Sequence, residues 1–155
     1  MSGVKPFETA EGAEYHGCRQ LNIFLENRLG QLLRITRLLE AEPIRILGLS
    51  VEGKVDCAIV RMLVDDPDAA DRMCSEAGFA CTESEVLVVE LPAGKRAIMT
   101  VCAALISAEV NINYVYTAWA GDEQKPALVI QVDNLPQAMR VLAHKGFSML
   151  AQDEL

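Results

Sequence analysis

Asn27 and Gly30 stand three residues apart in the stretch Glu26-Asn27-Arg28-Leu29-Gly30-Gln31-Leu32, and residues of these types at that spacing suit a small zwitterion. An asparagine amide both donates and accepts, so one side chain can meet an ammonium and a carboxylate together. Gly30 carries no side chain to obstruct a close approach of backbone to ligand. A helix opening behind it would turn unpaired N–H groups and the positive end of its dipole toward a carboxylate. The same spacing serves equally well as a plain turn and cap. Further along, Gly48, Leu49 and Ser50 form a small surface able to accept an apolar side chain. Leu29, Leu49 and Val51 near the loop favour an aliphatic ligand over a charged one. The candidate binding set is thus Asn27, Arg28, Leu29, Gly30, Gln31, Leu32, Leu49 and Ser50, joined by Gly94 and Asn111 from a related stretch downstream.

Other chemistries find no support. Ala93-Gly94-Lys95-Arg96 lacks the upstream glycine of a phosphate loop, and Arg96 stands where a Mg²⁺-binding hydroxyl is needed. No G-x-G-x-x-G or G-x-S-x-G occurs. The acidic run Asp65, Asp66, Asp68 and Asp71 sits at a helix start, where capping and dipole complementation account for it. Cys18, Cys57, Cys74, Cys81 and Cys102 are odd in number and include no C-x-x-C, which predicts reduced thiols and neither a disulfide framework nor a metal site. His16 lies in a polar segment beside Cys18, and His144 late in a helix has no nucleophile adjacent in sequence. The reading therefore contains no catalytic set, no metal and no cofactor.

Charge narrows the partners. Fourteen basic against twenty-two acidic residues give a net charge of −8, and no basic cluster reverses that sign locally, so phosphate backbones would be repelled. No apolar run is long enough to cross a bilayer. Met1 to Cys18 is too polar for a secretory signal, which leaves a cytoplasmic protein as the expectation.

The chain also repeats itself. Val64–Phe79 laid on Val132–Phe147 gives six identities in sixteen positions, where unrelated sequence would give about one. The offset of 68 residues there becomes 66 between Ile44 and Val110 and 64 between Gly30 and Gly94, as short loop insertions would produce. A duplication with a junction near Glu83 divides the chain into a polar tail (1–18), a first domain (19–83) and a second (84–155).

Each copy reads strand, helix, strand, strand, helix, strand. In the first copy, Leu21, Ile23 and Leu25 alternate with Gln20, Asn22 and Phe24, the period of a strand. Leu32, Ile35 and Leu39 then recur at helical spacing, and Pro43 closes that helix. Strands at 44–51 and 55–64 follow, then a helix with Asp66 as N-cap, Pro67 in its first turn and Gly78 at its end, then a short strand at 79–82. The second copy places strands at 86–91, 111–120, 127–132 and 147–150, with helices between. This βαββαβ order predicts an α+β fold of two ferredoxin-like repeats, each an antiparallel sheet with its helices on one face. Phe24, Ile59 and Leu63 make the other sheet face apolar too. A unit of this size cannot leave such a face bare, so the copies are expected to pack on each other or on a second chain.

FLENRLGQLLRITRLLEAEPIRILGLSV resembles the opening of an ACT domain, and IVRMLVDDPDAADRMCSEAGF continues the pattern. VLVVELPAGKRAIMTVCAALISAEVNINYVY repeats it in register. The resemblance covers about Arg19 to Leu150. It implies a non-enzymatic, regulatory protein that binds a free amino acid at a domain or dimer interface, as a homodimer, and passes that state to a biosynthetic enzyme. An alternative is a regulatory small subunit, such as that of acetolactate synthase, although the C-terminal half of those subunits is not a clear second repeat. The second copy departs from the pattern at Leu91, which stands where the first has Asn27, so an equivalent second site lacks its amide. Asn111, Asn113, Tyr114 and Tyr116 on the following strand either face the first copy's loop and complete its pocket or belong to an ordinary sheet interface.

Overall fold

The computed structural model describes residues 17–155, so His16 and all but the last two residues of the expected tail lie outside the described residues. The elements run β1 (Cys18–Glu26), α1 (Gln31–Glu40), β2 (Ile46–Gly53), β3 (Cys57–Val64), α2 (Pro67–Glu76), β4 (Ala80–Glu90), α3 (Ala97–Ser107), β5 (Ile112–Ala120), β6 (Lys125–Val132) and α4 (Leu135–His144). The βαββαβ order occurs twice, and all strand pairs are antiparallel.

The identities between the repeats are now legible as parts. Asp66 accepts from the Ala69 N–H at 3.1 Å and Asn134 from the Gln137 N–H at 3.2 Å, capping α2 and α4. Gly78 and Gly146, at φ 87° and 83°, end those helices in the left-handed conformation, and Phe79 and Phe147 donate back to Cys74 and Leu142 at 2.9 Å. Asp65 clasps the backbone of Arg45, its carboxylate accepting from the Arg45 N–H at 2.8 Å while its own N–H donates to the Arg45 carbonyl at 3.2 Å. Asp133 clasps Asn111 the same way, at 3.0 and 3.2 Å.

The strands form one sheet in the order β2-β3-β1-β4-β6-β5, and β4 belongs to both repeats. Residues 80–86 of β4 pair with β1, and residues 87–90 pair with β6. The segment 148–150 follows β1 along β4, with the Leu150 N–H donating to Val88 at 2.8 Å and the Cys18 thiol to Leu150 at 3.2 Å. The sequence suggests two strands here because polar Glu83, Ser84 and Glu85 interrupt the apolar pattern. They stay extended because β1 pairs through all three. The 83/84 boundary therefore falls inside a single strand.

Three apolar cores result. Helices α1 and α2 cover one face of the first repeat over Leu21, Ile23, Val60 and Met62. Helices α3 and α4 cover the second over Leu87, Val89, Leu128 and Ile130. The third core lies between the two sheet halves, where Leu47, Leu63 and Val86 meet Ala118, Ala127 and Val129. The copies do pack on each other, which buries Leu63 completely while Phe24, further along the same face, stays exposed.

Gly48 is the point of closest approach between the halves. A Cβ built there would lie 2.8 Å from both the Thr117 carbonyl oxygen and the Ala118 Cβ. Its smallness thus serves the backbone of β5 and not a ligand. We predict that Gly48→Ala separates β2 from β5 and destabilises the fold by about 1–3 kcal/mol, measured by urea unfolding. Burial also pushes the Cys18 and Cys74 thiols up to about 12, whereas Cys57 is exposed. At pH 8 only about one in ten thousand of such buried thiols ionises. In the native state a thiol-reactive dye should label Cys57 and spare Cys18 and Cys74 until denaturant is added.

Candidate functional site

The loop from β1 to α1 is held from below. The Asn27 N–H donates to the Asp56 carbonyl at 3.4 Å, and its side-chain Nδ2 donates to the Lys54 carbonyl at 2.8 Å, in the turn between β2 and β3. The amide hydrogens expected to serve a ligand are engaged by this turn. Oδ1 is what Asn27 has left to offer an ammonium. Gly30, at φ 84°, is the N-cap of α1 and supplies no capping side chain, and the first turn of α1 has no acidic residue. The first helical bond runs from the Arg34 N–H to the Gly30 carbonyl at 2.9 Å, so the N–H groups of Leu32 and Leu33 precede the ladder. α2 and α4, by contrast, are capped by Asp66 and Asn134.

A hollow of about 700 Å³ opens at this helix end, lined by Asn27, Arg28, Leu29, Gly30, Leu32, Leu33 and Thr36. Leu29 is fully exposed at its rim, and Arg28 holds Glu26 at 2.6 Å. Backbone donors, a guanidinium and apolar side chains can together hold a carboxylate with a short apolar tail. Among the described residues, the second repeat contributes nothing to the lining, so one chain leaves the hollow open.

The structure divides the candidate set. Asn27 to Leu32 are brought together, with Gln31 as the first residue of α1 rather than a lining residue. Leu49 and Ser50 lie in mid-β2, opposite Met62 and Arg61, and do not line the hollow. Gly94 is left-handed like Gly30, at φ 114°, but the N-cap position of α3 is Arg96 two residues later, with no capping side-chain bond, so the glycine is displaced from the helix end. Asn111 stands at the far end of the second repeat from Gly94. Glu90, which leads into the Gly94 loop, pairs with Ala127, five residues along β6 from the position where Ile112 pairs with Val132. Asn111 is the residue clasped by Asp133, and its side chain donates to Asn113 Oδ1 at 2.9 Å.

Tyr114 and Tyr116 do face the first copy, through its strands. Gln20, fully buried on β1, donates to the Tyr114 hydroxyl at 2.7 Å and to Asn22 Oδ1 at 2.8 Å, and accepts from the Tyr116 hydroxyl at 2.7 Å. Asn22 Nδ2 donates onward to Ser84 at 2.8 Å and Thr82 at 3.2 Å. Arg61 stacks over the Tyr114 ring at 4.1 Å and pairs with Glu52 at 3.0 Å. This network joins the repeats at the polar end of their interface. The signal for it in the sequence was Gln20 and Asn22 two apart on one strand and Tyr114 and Tyr116 two apart on another. The arrangement acts as a lock across the interface, each of these side chains holding at least one partner within it.

Burial holds the Tyr116 phenol above its ordinary range, which keeps its proton for Gln20. Tyr116→Phe would leave Gln20 Oε1 buried without a donor, and we expect a loss of about 1–3 kcal/mol by urea unfolding. Because the folded state holds this proton more tightly than the unfolded chain, wild-type stability should fall as pH rises above about 10, and Tyr116→Phe should flatten that fall.

A profile of the ACT domain pair matches residues 17–155. No curated protein matches the sequence. Among solved structures, protein BT0572 from Bacteroides thetaiotaomicron is similar at 30% identity over 89% of this chain and 94% of its own, with a TM-score of 0.80. The regulatory subunit of aspartate kinase from Thermus thermophilus shares the fold at 13% identity over 83% of this chain and 91% of its own, TM-score 0.59. The corresponding subunit from Thermus flavus does so at 12% identity over 83% and 92%, TM-score 0.56.

Proposed function

The chain belongs to the ACT domain-pair family, and from that premise we propose that it is a non-enzymatic regulatory protein that binds a free, small aliphatic amino acid at the β1–α1 loop of its first repeat. The observation that carries this is the bare start of α1. Two of the four α-helices among the described residues are capped by side chains, whereas α1 opens on a left-handed glycine beside Arg28, above a hollow with leucine walls. The ligand carboxylate would take the free N–H groups of Leu32 and Leu33 together with Arg28, its ammonium would take Asn27 Oδ1, and its side chain would lie against Leu29 and Leu33. A second copy of the chain supplies the wall that the second repeat does not, so the working form is a homodimer.

The output is a change of affinity for a biosynthetic enzyme, a role suggested by fold neighbours that are regulatory subunits of aspartate kinase. Bound amino acid would favour one arrangement of the loop, and the partner would read that arrangement. Nucleic acid and membrane are not expected partners. The net charge is −8, and no helix among the described residues is long and apolar enough to cross a membrane. A cytoplasmic location follows on this reading.

Thermal melts against the twenty amino acids test it. A ligand at a hundredfold excess over its Kd adds about 2.7 kcal/mol, a rise of several degrees for a chain of this size. We expect one or a few aliphatic amino acids to give that rise, and Gly30→Ala or Arg28→Glu to abolish it while Gly94→Ala keeps it. No rise with any amino acid at millimolar concentration overturns the reading.

A further inference from the structure

Two cysteines meet beneath the end of α2. Cys74 lies in the last turn of that helix and is fully buried, and Cys81, the second residue of β4, is half-buried. The chain doubles back between them at Gly78, where the Phe79 N–H donates to the Cys74 carbonyl at 2.9 Å. Cys81 stands opposite Ile23 of β1, and opposed residues share a sheet face, so its side chain enters the core under α1 and α2 that Ile23 helps to form. Cys74 enters the same core from the helix above. A side-chain hydrogen bond links the two thiols, and the Cys81 thiol also reaches the Phe79 carbonyl at 3.8 Å.

The second repeat shows what packing alone requires there. At the offset of 68, Cys74 and Cys81 become Leu142 and Met149. Leu142 is fully buried and accepts from the Phe147 N–H at 2.9 Å, as Cys74 does from Phe79. Met149 bridges to Val89, as Cys81 does to Ile23, and packs on the second core. An apolar pair therefore satisfies these two positions. The two thiols of the first repeat add a chemistry that the core does not ask for.

We propose that Cys74 and Cys81 are a site of reversible oxidation, whose disulfide pins α2 to the strand that both repeats share. The co-reactant is a low-molecular-weight disulfide of the glutathione class. Cys81 is the attacking sulfur, being the more accessible of the two. Burial raises both thiols, Cys74 to about 12, while the hydrogen bond from Cys74 favours the Cys81 thiolate. That thiolate bonds to one sulfur of the small disulfide and breaks its S–S bond, and the leaving thiolate takes up a proton. Cys74 then gives up its proton, attacks the Cys81 sulfur of the mixed disulfide and expels the second small thiol. The chain loses two hydrogens, and their two electrons reduce the small disulfide to two thiols. In a reducing compartment such a bond is transient, which suits a switch better than a permanent staple. The inference depends neither on the ligand nor on the homodimer of the reading above.

The test is oxidation of the folded full chain in a glutathione redox buffer, with Cys57→Ser removing the exposed thiol. Tryptic cleavage after Arg72 and Lys95 releases residues 73–95, which hold both cysteines. This peptide should be lighter by two hydrogens after oxidation, and dithiothreitol should restore its mass. The oxidised chain should melt several degrees above the reduced one, as closure of a short loop implies. Cys74→Ala should leave Cys81 trapped as its glutathione adduct, and Cys81→Ser should leave Cys74 unmodified. A peptide that stays reduced in the folded chain overturns the proposal, as does one that crosslinks only after denaturation. So does an oxidised chain that melts no higher than the reduced one. If either single variant fails to fold, the peptide mass with both cysteines present decides alone.

Discussion

Everything in this molecule depends on the contact between the inner faces of its two sheet halves. A repeat of some 65 residues with two helices on one sheet face has a second face to hide and little core to spare. Here the two exposed faces hide each other. Leu63 and Val86 of one meet Ala118 and Val129 of the other, and small residues on β5 let the backbones close in until Gly48 touches Thr117. The register of that contact is set at its polar end. Buried Gln20 takes two tyrosine hydroxyls from the opposite half, and a slip of either sheet would leave an amide without partners in an apolar surround. Apolar area supplies the attraction, and the Gln20 network supplies the alignment.

β4 makes the same point through the backbone. One strand of 11 residues is the last of the first repeat and the first of the second. The halves are joined by a hydrogen-bonded ladder and not by a linker, so the duplication produced two modules that do not separate as structures. Against this shared frame the repeats have kept their structural parts and changed their surfaces. The aspartate clasps, helix caps and glycine-phenylalanine closures recur almost bond for bond. What differs is the first loop, with Asn27 in one copy and Leu91 in the other, and the outer face of the first helix, charged in one copy and uncharged in the other. Divergence of the first loop and of the first helix's outer face is what separate tasks for the two repeats would produce.

Much of this was legible in the sequence because it is set locally. Period-two and helical spacing located the elements, Asp66 and Gly78 marked the limits of α2, and the repeat fixed the order. What was not legible depends on partners distant in the chain. Glu83, Ser84 and Glu85 read as a break because nothing local shows that β1 pairs through them. Asn111 read as a candidate ligand group, whereas its backbone belongs to the Asp133 clasp. Gly48 read as space for a ligand side chain and is space for a strand. Leu49 and Ser50 were grouped with the loop because the next strand was expected to bring them to the same end, but that strand passes the hollow without lining it.

The tie from Asn27 to the Lys54 carbonyl gives the loop its mechanical meaning. It couples the start of α1 to the β2–β3 turn and not to α1's own core, so a displacement of the loop is transmitted first to β2. From its free end, β2 runs back through Glu52, which anchors Arg61 over Tyr114, and on to Gly48 against β5. Every link in that path is either a hydrogen bond, an ion pair or a contact with no slack, and packed contacts of this kind shift between discrete arrangements instead of yielding gradually. On the amino-acid reading, then, the element that carries the signal is β2. With β3, which leaves the same turn and carries Arg61 and Leu63, it joins the loop's anchor to the seam between the repeats.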